Sequence, residues 1–352
     1  MNHLGCVALV AILTSGCTAA DFAMPTGAMG SWGAPNSLVD SSPRGGGGTT
    51  PTGSTINGAT VALFQTSIGP IAWKGVQLAQ MQSTGTTLLW NAPPDRNNQA
   101  LAIPQSGLAW AVGYGVARYQ NSEWNSDVTD VDAVATPTTA SSQRVLLTDV
   151  SFAPGSSTVG YAVGTRGTIL RYNGVDRWTK VTDAGLTTEN LGTVKVLAPN
   201  DVWVAGQVLM HYNGNEWTKV TTVPGEISGL AVVDAHNVWA STGSGLYQWD
   251  GSADWTAWTA KFVPTGKTVG APRIAAFGNT VVGLAIEPGV PSGAVFTYRN
   301  GTWQTETVTV PADVGLDTVV LASQNLAYAK TYDNSGVYRF DLTSKTWSYY
   351  SE

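Results

Sequence analysis

The sequence predicts an all-β fold, and three observations support this prediction. Only 12 % of the 352 residues are charged, about half of the roughly 25 % found in ordinary globular chains. Thr, Ser, Asn and Gln supply the polarity instead, and with 40 Gly and 17 Pro residues this composition favours strands and turns over helices. A short motif rich in aromatic residues also recurs from about residue 100 onward. We therefore expect no helix longer than a turn or two.

The first sixteen residues have the pattern of a signal peptide. Residues 4–16 form an uncharged apolar run that ends in small residues, and this run is shorter than the roughly 20 residues that span a bilayer. The ending LTSG before Cys17 resembles a bacterial lipobox, which implies cleavage before Cys17 and attachment of lipid to it. An ordinary signal peptide cut after Ala19 or Ala20 is the alternative. We expect an outer-membrane lipoprotein of a bacterial cell envelope that contacts the membrane only through this anchor, with residues 1–16 removed.

Residues 17–57 predict a disordered tether behind the lipid anchor. This stretch is dense in Gly, Pro, Ser and Thr and cannot bury enough apolar surface to order itself. Forty such residues have a root-mean-square reach of roughly 35 Å. We therefore expect the globular part, residues 58–352, to be held away from the membrane surface.

A repeated unit begins at about residue 100. In each unit a strand of small and aromatic residues leads into a second strand, which ends in an aromatic residue, a polar turn and a tryptophan. Four of the turns contain Asn-Gly or Asp-Gly, which supplies the positive φ of a tight hairpin; these turns are Asn173-Gly174, Asn213-Gly214, Asp250-Gly251 and Asn300-Gly301. The tryptophans that follow the turns are Trp124, Trp178, Trp217, Trp255, Trp303 and Trp347, with spacings of 54, 39, 38, 48 and 44 residues.

The spacing of these units predicts a β-propeller, because a period near 40–50 residues is the signature of propeller blades. Residues 101–350 hold six units, and residues 58–100 make one further unit with the candidate strands TVALFQ, IAWKGVQLAQ and TTLLW. We expect seven blades. Six blades, with residues 58–100 as an extra strand or cap, are the alternative. A strand near residue 60 could complete the last blade, so that the closed ring has no free sheet edge.

The repeats resemble those of bacterial secreted β-propellers of the kelch and BNR type. The resemblance rests on phrases such as DVWVAG at 201–206 and RYNGVDRW at 171–178, and FDLTSKTW at 340–347 is similar to a kelch ending. The paired glycines of kelch repeats, the Asp-box of sialidases and the blade motif of quinoprotein propellers are absent from the sequence. The resemblance therefore implies a rigid disc that binds other molecules, without the activities of the enzymatic subfamilies.

Candidate catalytic residues are few. His211 belongs to a polar column that recurs beside the aromatic residue, so we interpret it as a solvated strand position, and His236 lies in a turn; the rest of the column is Arg118, Arg171, Gln248, Thr297 and Arg339. An acidic stretch could hold Ca²⁺, but it lacks the glycine and the closing glutamate of an EF-hand loop; its members are Glu123, Asp127, Asp130 and Asp132. We expect no catalytic, cofactor-binding or metal-binding residue, and no cofactor.

Aromatic residues outside the repeat pattern are the candidate contacts to a ligand or partner. They are Trp73, Trp90, Trp258, Tyr349 and Tyr350. The repeat tryptophans recur at one structural position, and we expect this position to be in the core; they are Trp124, Trp178, Trp217, Trp303 and Trp347. Insertions between units are expected on blade-connecting loops, where propellers usually place binding groups; they are Thr136–Gln143, Asp183–Asn190 and Pro288–Gly293.

Charge and motif content together favour a binding protein. A net charge of −6 argues against a nucleic-acid partner. We predict a non-enzymatic scaffold for protein–protein interaction in a cell-envelope or surface assembly. A carbohydrate-binding, lectin-like propeller that uses aromatic residues is the alternative. A glycosidase or lyase with residues contributed by several blades is the third hypothesis.

Overall fold

The structure is a computed structural model, and it contains seven antiparallel sheets of four strands each. The described residues are 60–74, 77–82, 86–93, 99–129, 144–175, 177–183, 185–252, 254–257, 273–285, 294–299, 301–307, 316–331 and 336–350. The chain is an all-β, seven-bladed β-propeller, so the prediction of seven blades is confirmed over the alternative of six. The predicted signal peptide, Cys17 and the predicted tether lie outside the described residues.

Each blade consists of four consecutive strands that pair in sequence order. Blade 1 contains β1 (Thr60–Thr66), β2 (Gly69–Lys74), β3 (Gln77–Met81) and β4 (Thr86–Asn91). Blade 2 contains β5 (Ala100–Gln105), β6 (Leu108–Val112), β7 (Val116–Gln120) and β8 (Glu123–Thr129). Blade 3 contains β9 (Leu147–Phe152), β10 (Gly160–Gly164), β11 (Ile169–Tyr172) and β12 (Trp178–Lys180). Blade 4 contains β13 (Leu191–Ala198), β14 (Asp201–Gly206), β15 (Leu209–Tyr212) and β16 (Trp217–Val220).

The last three blades repeat this arrangement. Blade 5 contains β17 (Ile227–Asp234), β18 (Asn237–Thr242), β19 (Gly245–Trp249) and β20 (Thr256–Ala257). Blade 6 contains β21 (Arg273–Phe277), β22 (Thr280–Ala285), β23 (Ala294–Arg299) and β24 (Thr302–Thr307). Blade 7 contains β25 (Leu316–Ser323), β26 (Leu326–Thr331), β27 (Val337–Asp341) and β28 (Thr346–Tyr349). Within the described part of the chain the helical content is one 3₁₀ turn, Thr165–Gly167, as the composition predicts.

The first strand of each blade is the innermost one. Each of these strands contacts the first strand of the next blade, and β25 contacts β1, so that the seven form a closed ring. Apolar side chains fill the seams between neighbouring blades; one such cluster joins Tyr161 and Ile169 of blade 3 to Val194 and Val204 of blade 4. Because each sheet is covered on both faces by its neighbours, its strands are apolar on both sides.

The repeated motif forms the hairpin between the third and fourth strands. Tyr212 pairs with Trp217 across this hairpin with ring centroids 5.2 Å apart, and Tyr172 pairs with Trp178 at 5.3 Å. The turn glycines have the positive φ that the sequence predicts, with values of 84°, 94°, 89° and 77° at Gly174, Gly214, Gly251 and Gly301. The predicted tight hairpin is therefore confirmed, and the structure shows that an aromatic pair closes it.

The ring closes without a shared strand, so the expectation that a strand near residue 60 completes the last blade is wrong. Strand β1 pairs with β2 in blade 1, and blade 7 contains only β25 to β28. Side chains join the two ends instead: the backbone N–H of Leu321 donates to Gln65 Oε1 at 2.8 Å, and the hydroxyls of Tyr328 and Tyr350 both donate to the carbonyl of Gln82. An apolar cluster that includes Leu63 packs around these bonds.

Two further expectations need correction. The candidate strand IAWKGVQLAQ is divided between β2 and β3, which pair as a hairpin. The insertion Pro288–Gly293 lies outside the described residues, but its flanking strands β22 and β23 belong to one sheet, so it lies within a blade and not between blades. Thr136–Gln143, also outside the described residues, and Asp183–Asn190 do connect blades. The latter passes against Gly167, which has a φ of 63° and where a Cβ would collide with the carbonyl of Thr187.

No helix in the described ranges combines the length and the apolar character needed to cross a membrane.

Candidate binding cavity

A cavity of about 590 Å³ lies at the centre of the ring, lined by residues from the first strand of every blade. This volume falls within the range of about 300–1,000 Å³ that is typical of ligand pockets. The cavity is therefore the candidate binding site.

The innermost strands turn an unpaired backbone edge toward the cavity and the adjoining seams. Each first strand pairs within its sheet only with the second strand, so its other edge carries backbone groups that need partners. Side chains of the preceding blade supply some of these partners: Val194 N donates to Asp149 Oδ2 at 2.9 Å, and Val196 N donates to Ser151 Oγ at 3.3 Å. The inner edge thus forms main-chain hydrogen bonds with acceptors that do not belong to its own sheet.

Small side chains line one level of the cavity. In blade 4 the residue at this level is Thr193. It pairs with Ala205, which follows the repeat aromatic Trp203 by two residues. The equivalent positions of other blades are Ala100, Asp149, Gly229 and Thr318, which pair with Val112, Val163, Ser241 and Lys330. All of these first-strand positions line the cavity. Their small volume keeps the centre of the ring open.

Asp149 is a buried carboxylate that joins blade 3 to blade 4. It is 7 % exposed and its Oδ2 accepts hydrogen bonds from Thr193 Oγ1 at 2.8 Å and Val194 N at 2.9 Å. Its Oδ1 accepts a bond from Val150 N at 2.9 Å. Both carboxylate oxygens are therefore engaged in structural hydrogen bonds, Oδ2 across the seam and Oδ1 within blade 3.

Two lysines also line the cavity. Lys195 Nζ lies 3.7 Å from Asp149 Oδ2, and its side chain is 39 % exposed. Lys330 is only 2 % exposed, and its ammonium group donates to the carbonyl of Thr331 at 3.1 Å. Among the described residues, Asp149, Lys195 and Lys330 are the charged side chains that line the cavity.

Sequence reasoning did not find these three charged residues. Each is a single charged residue inside an otherwise uncharged strand: Asp149 in LTDVSF, Lys195 in LGTVKVLA and Lys330 in LAYAKT. A charge in such a position is expensive to bury unless it has a partner, and this could have marked the strands as candidates.

The predicted aromatic contacts are in separate places. Trp73 is 8 % exposed, lines the cavity and packs 6.2 Å from the ring of Phe64. Trp90 is half-buried and stacks on Tyr119 with centroids 4.3 Å apart. Tyr349 is 57 % exposed, whereas Tyr350 is buried and bonds to Gln82. Trp258 and the predicted lipid-attachment residue Cys17 lie outside the described residues. That any of these residues contacts a ligand or carries lipid stays a prediction.

The repeat tryptophans lie at the predicted structural position. Trp178 and Trp217 are buried, at 2 % and 5 % exposure, while Trp124 and Trp347 are half-buried. The side chain of Trp303 is outside the described part of the structure. The core prediction is therefore confirmed for Trp178 and Trp217.

His211 is not the solvated strand position that we expected. Its imidazole stacks on Trp203 with centroids 3.9 Å apart and planes 13° apart, and its Nε2 lies 2.9 Å from Asp201 Oδ1. In neighbouring blades the same column holds arginines above aromatic rings, Arg118 over Trp110 at 5.6 Å and Arg171 over Tyr161 at 5.9 Å. Arg118, Arg171 and His211 of the polar column therefore pack on the second-strand aromatics, and Arg171 is also exposed to solvent.

The other candidate residues for chemistry are not gathered into a site. His236 is exposed in the turn between β17 and β18, as expected, and its backbone N–H donates to Asp234 Oδ1. Glu123 is exposed at the start of β8, while Asp130 and Asp132 lie outside the described residues. In the ranges that the structure describes, no three His, Cys, Asp or Glu side chains are grouped so as to hold a metal ion.

Comparisons with known proteins support the class of fold. No family model matches the chain, and no curated protein matches it. Many solved structures do: RRP9 WD40 repeats has a TM-score of 0.57 with 10 % identity, covering 78 % of this chain and 89 % of that one. The WD40 β-propeller domain of Doa1 has a TM-score of 0.51 with 12 % identity, covering 81 % and 96 %.

A third similar structure is described as YCF48 bound to D1 peptide. Its TM-score is 0.53 at 14 % identity, and the match covers 71 % of this chain and 80 % of that one. YCF48 from Cyanidioschyzon merolae also gives 0.53, at 17 % identity and with 72 % and 85 % covered. At these identities the similarity shows the fold alone. The chain is a β-propeller repeat protein.

Proposed function

We propose that this chain is a non-enzymatic scaffold that binds a partner protein by taking a peptide segment of the partner into the central cavity. The observation that carries this proposal is the open cavity of about 590 Å³ bordered by the first strands of all seven blades. Backbone edges of strands bind extended peptides by main-chain hydrogen bonds, and side-chain pockets then supply selectivity. An extended protein segment would fit both the open cavity and the strands that border it.

Two further observations support a protein partner. A protein of similar fold, YCF48, is described as bound to a peptide, that of D1, which supports a peptide as the occupant. The repeat aromatics whose side chains the structure describes are engaged in packing: Trp178 contacts Trp110 and Tyr172, and Trp203 contacts His211. These rings are therefore not available as stacking platforms for sugars, which favours the scaffold over the lectin-like alternative.

The proposed place of action is a bacterial cell envelope, with the chain anchored through Cys17. The lipobox-like ending before Cys17 supports this part of the proposal. Cell fractionation tests it: the wild-type protein is expected in the membrane fraction and a Cys17→Ser variant in the soluble fraction. If the variant stays with the membranes, the anchor proposal is wrong.

Affinity purification of the full chain in mild detergent, followed by mass spectrometry, tests the scaffold proposal. Thr318 lines the cavity in blade 7, so Thr318→Trp is expected to fill the lumen and to abolish co-purification of a stoichiometric partner. Thr302→Trp on the outermost strand of blade 6, where Thr302 is exposed, is the matched control and should retain the partner. Both variants should unfold at the wild-type temperature within a few degrees.

Three outcomes would contradict the proposal. Purification of the wild type as a monomer without a partner would contradict the proposed scaffold function. Equal retention of the partner by both variants would place the interaction outside the cavity. Retention of a glycan in place of a protein would favour the lectin-like alternative.

A further inference from the structure

The charged groups of the central cavity differ in how fully their hydrogen-bonding capacity is used. Asp149 accepts three bonds of 2.8–2.9 Å, from Thr193, Val194 and Val150. A carboxylate held in this way fixes the seam between blades 3 and 4. It therefore contributes little to the recognition of a ligand cation.

Lys195 retains its donors. Its Nζ lies 3.7 Å from Asp149 Oδ2, beyond the range of about 2.7–3.2 Å for an N–H···O hydrogen bond. Among the described residues, none accepts a hydrogen bond from this ammonium group, which has three donors. The side chain is 39 % exposed and lines the cavity. The group can thus donate to an occupant of the cavity without breaking the Asp149 network.

Lys330 is the second lysine that lines the cavity. It belongs to blade 7, which is separated from blade 4 by blades 5 and 6, and it is 2 % exposed. Its register partner is Thr318, the blade 7 equivalent of Thr193. A charge buried this far from water interacts more strongly with an opposite charge than a surface charge does.

We propose that the central cavity binds a carboxylate-bearing peptide segment, with Lys195 donating to the carboxylate and Lys330 adding positive charge from blade 7. This inference rests on the proposed function, since it names the chemistry of the segment that the cavity takes. The charged residues that line the described part of the cavity are two lysines and one aspartate, whose carboxylate already accepts three hydrogen bonds. The whole chain, in contrast, has a net charge of −6. The cavity is thus complementary to an acidic group.

A carboxylate on a peptide has two sources, the side chain of Asp or Glu and the C-terminus. An array of short peptides in Gly-Ser flanks, covering all amino-acid pairs at the centre, separates them. Each peptide is made with an amidated C-terminus and with a free one. The full-length chain, labelled with a fluorophore, is the probe.

We expect the wild type to retain peptides with Asp or Glu at the centre, or peptides with a free C-terminus, in preference to their Gln-containing or amidated counterparts. Lys195→Gln should weaken retention of these peptides about tenfold or more, since a charged hydrogen bond is lost. Lys219→Gln is the matched control, because Lys219 is exposed on the outer strand of the same blade. It should bind as the wild type does.

The outcomes separate this inference from the proposed function. Retention of peptides that are not acidic and have amidated C-termini would overturn the carboxylate inference and leave peptide binding intact. Acidic selectivity that survives Lys195→Gln would show that Lys195 does not hold the carboxylate, which also overturns it. Failure of the wild type to retain any peptide would overturn both the inference and the proposed cavity function.

Discussion

At the scale of single residues, Asp149 is the carboxylate that bridges the seam between blades 3 and 4. Three donors converge on its carboxylate, two of them from blade 4 and one from its own blade. Buried donors that lose their acceptor keep the full cost of their desolvation. The bond network of this one residue therefore fixes the position of two neighbouring blades.

We expect Asp149→Ala to lower the free energy of unfolding by about 2–4 kcal/mol, because the N–H groups of Val150 and Val194 and the hydroxyl of Thr193 lose their acceptor. Asp149→Asn keeps one acceptor oxygen and should cost less. Urea denaturation followed by tryptophan fluorescence measures both. Glu216→Ala, at an exposed position in a blade 4 hairpin, is the control and should change stability by less than about 0.5 kcal/mol. An equal effect of Asp149→Ala and Glu216→Ala would contradict this role of Asp149.

The residues that sequence reasoning found are those whose role is repeated. Tyr212 and Trp217 recur in equivalent form around the ring, so the repeat predicts the hairpin that joins them. Asp149, Lys195 and Lys330 each occur once, in strands that differ from blade to blade. A repeat pattern carries no information on residues that occur in one unit only. The candidate site therefore could not be predicted from the repeats.

At the scale of the element, the hairpin between the third and fourth strands is the unit that the sequence defines best. In blades 2 to 7 the repeat motif does not include the first strand, which has no aromatic marker: its equivalent positions in five of these blades hold Ala100, Asp149, Thr193, Gly229 and Thr318. These residues line an open cavity and are not held to one type by packing. The strands that bear the site are therefore the ones with the weakest repeat signal.

Equivalent hairpin tryptophans differ in their burial, and this predicts different contributions to stability. Trp178 is 2 % exposed and contacts Trp110, Phe152 and Tyr172, whereas Trp124 is half-buried. We expect Trp178→Ala to lower the free energy of unfolding by about 3–5 kcal/mol and Trp124→Ala to lower it by clearly less.

Urea denaturation monitored by far-ultraviolet circular dichroism measures this difference without depending on the deleted fluorophore. Trp178→Phe is the control, because it keeps an aromatic ring in the cluster and should recover part of the loss. Equal losses for Trp178→Ala and Trp124→Ala would show that the hairpin position, and not its coverage by the neighbouring blade, determines the contribution.

At the scale of the whole molecule, the seam between blades 7 and 1 is where the two ends of the ring meet. Propeller closure by a shared strand would place backbone hydrogen bonds there, but each of these two blades is complete in itself. Side chains join the seam instead, and they include Tyr328 and Tyr350, which both donate to the carbonyl of Gln82. Integrity of the ring is thus linked to the protonation state of two phenols.

This linkage predicts a loss of stability at alkaline pH. Burial raises the pKa of Tyr328 to about 12, compared with about 10 for a phenol in an unfolded chain. Because the folded state holds the proton more tightly, the contribution of Tyr328 is complete below pH 10 and is lost as the pH rises from about 10 to 12. Burial also raises the pKa of Tyr350 in the same seam.

We expect the free energy of unfolding of the wild type to fall more steeply between about pH 10 and 12 than that of Tyr328→Phe, which has no phenol proton to lose at this seam. Below pH 10 we expect the free energy of unfolding of Tyr328→Phe to be lower than that of the wild type, because the variant lacks the hydrogen bond from Tyr328 to Gln82. Tyr349→Phe, at a side chain that is 57 % exposed, should follow the wild-type curve. Urea denaturation at a series of pH values gives the free energy of unfolding of the three proteins as a function of pH. Parallel curves for the wild type and Tyr328→Phe above pH 10 would show that the stability of the closing seam does not depend on the ionisation of Tyr328.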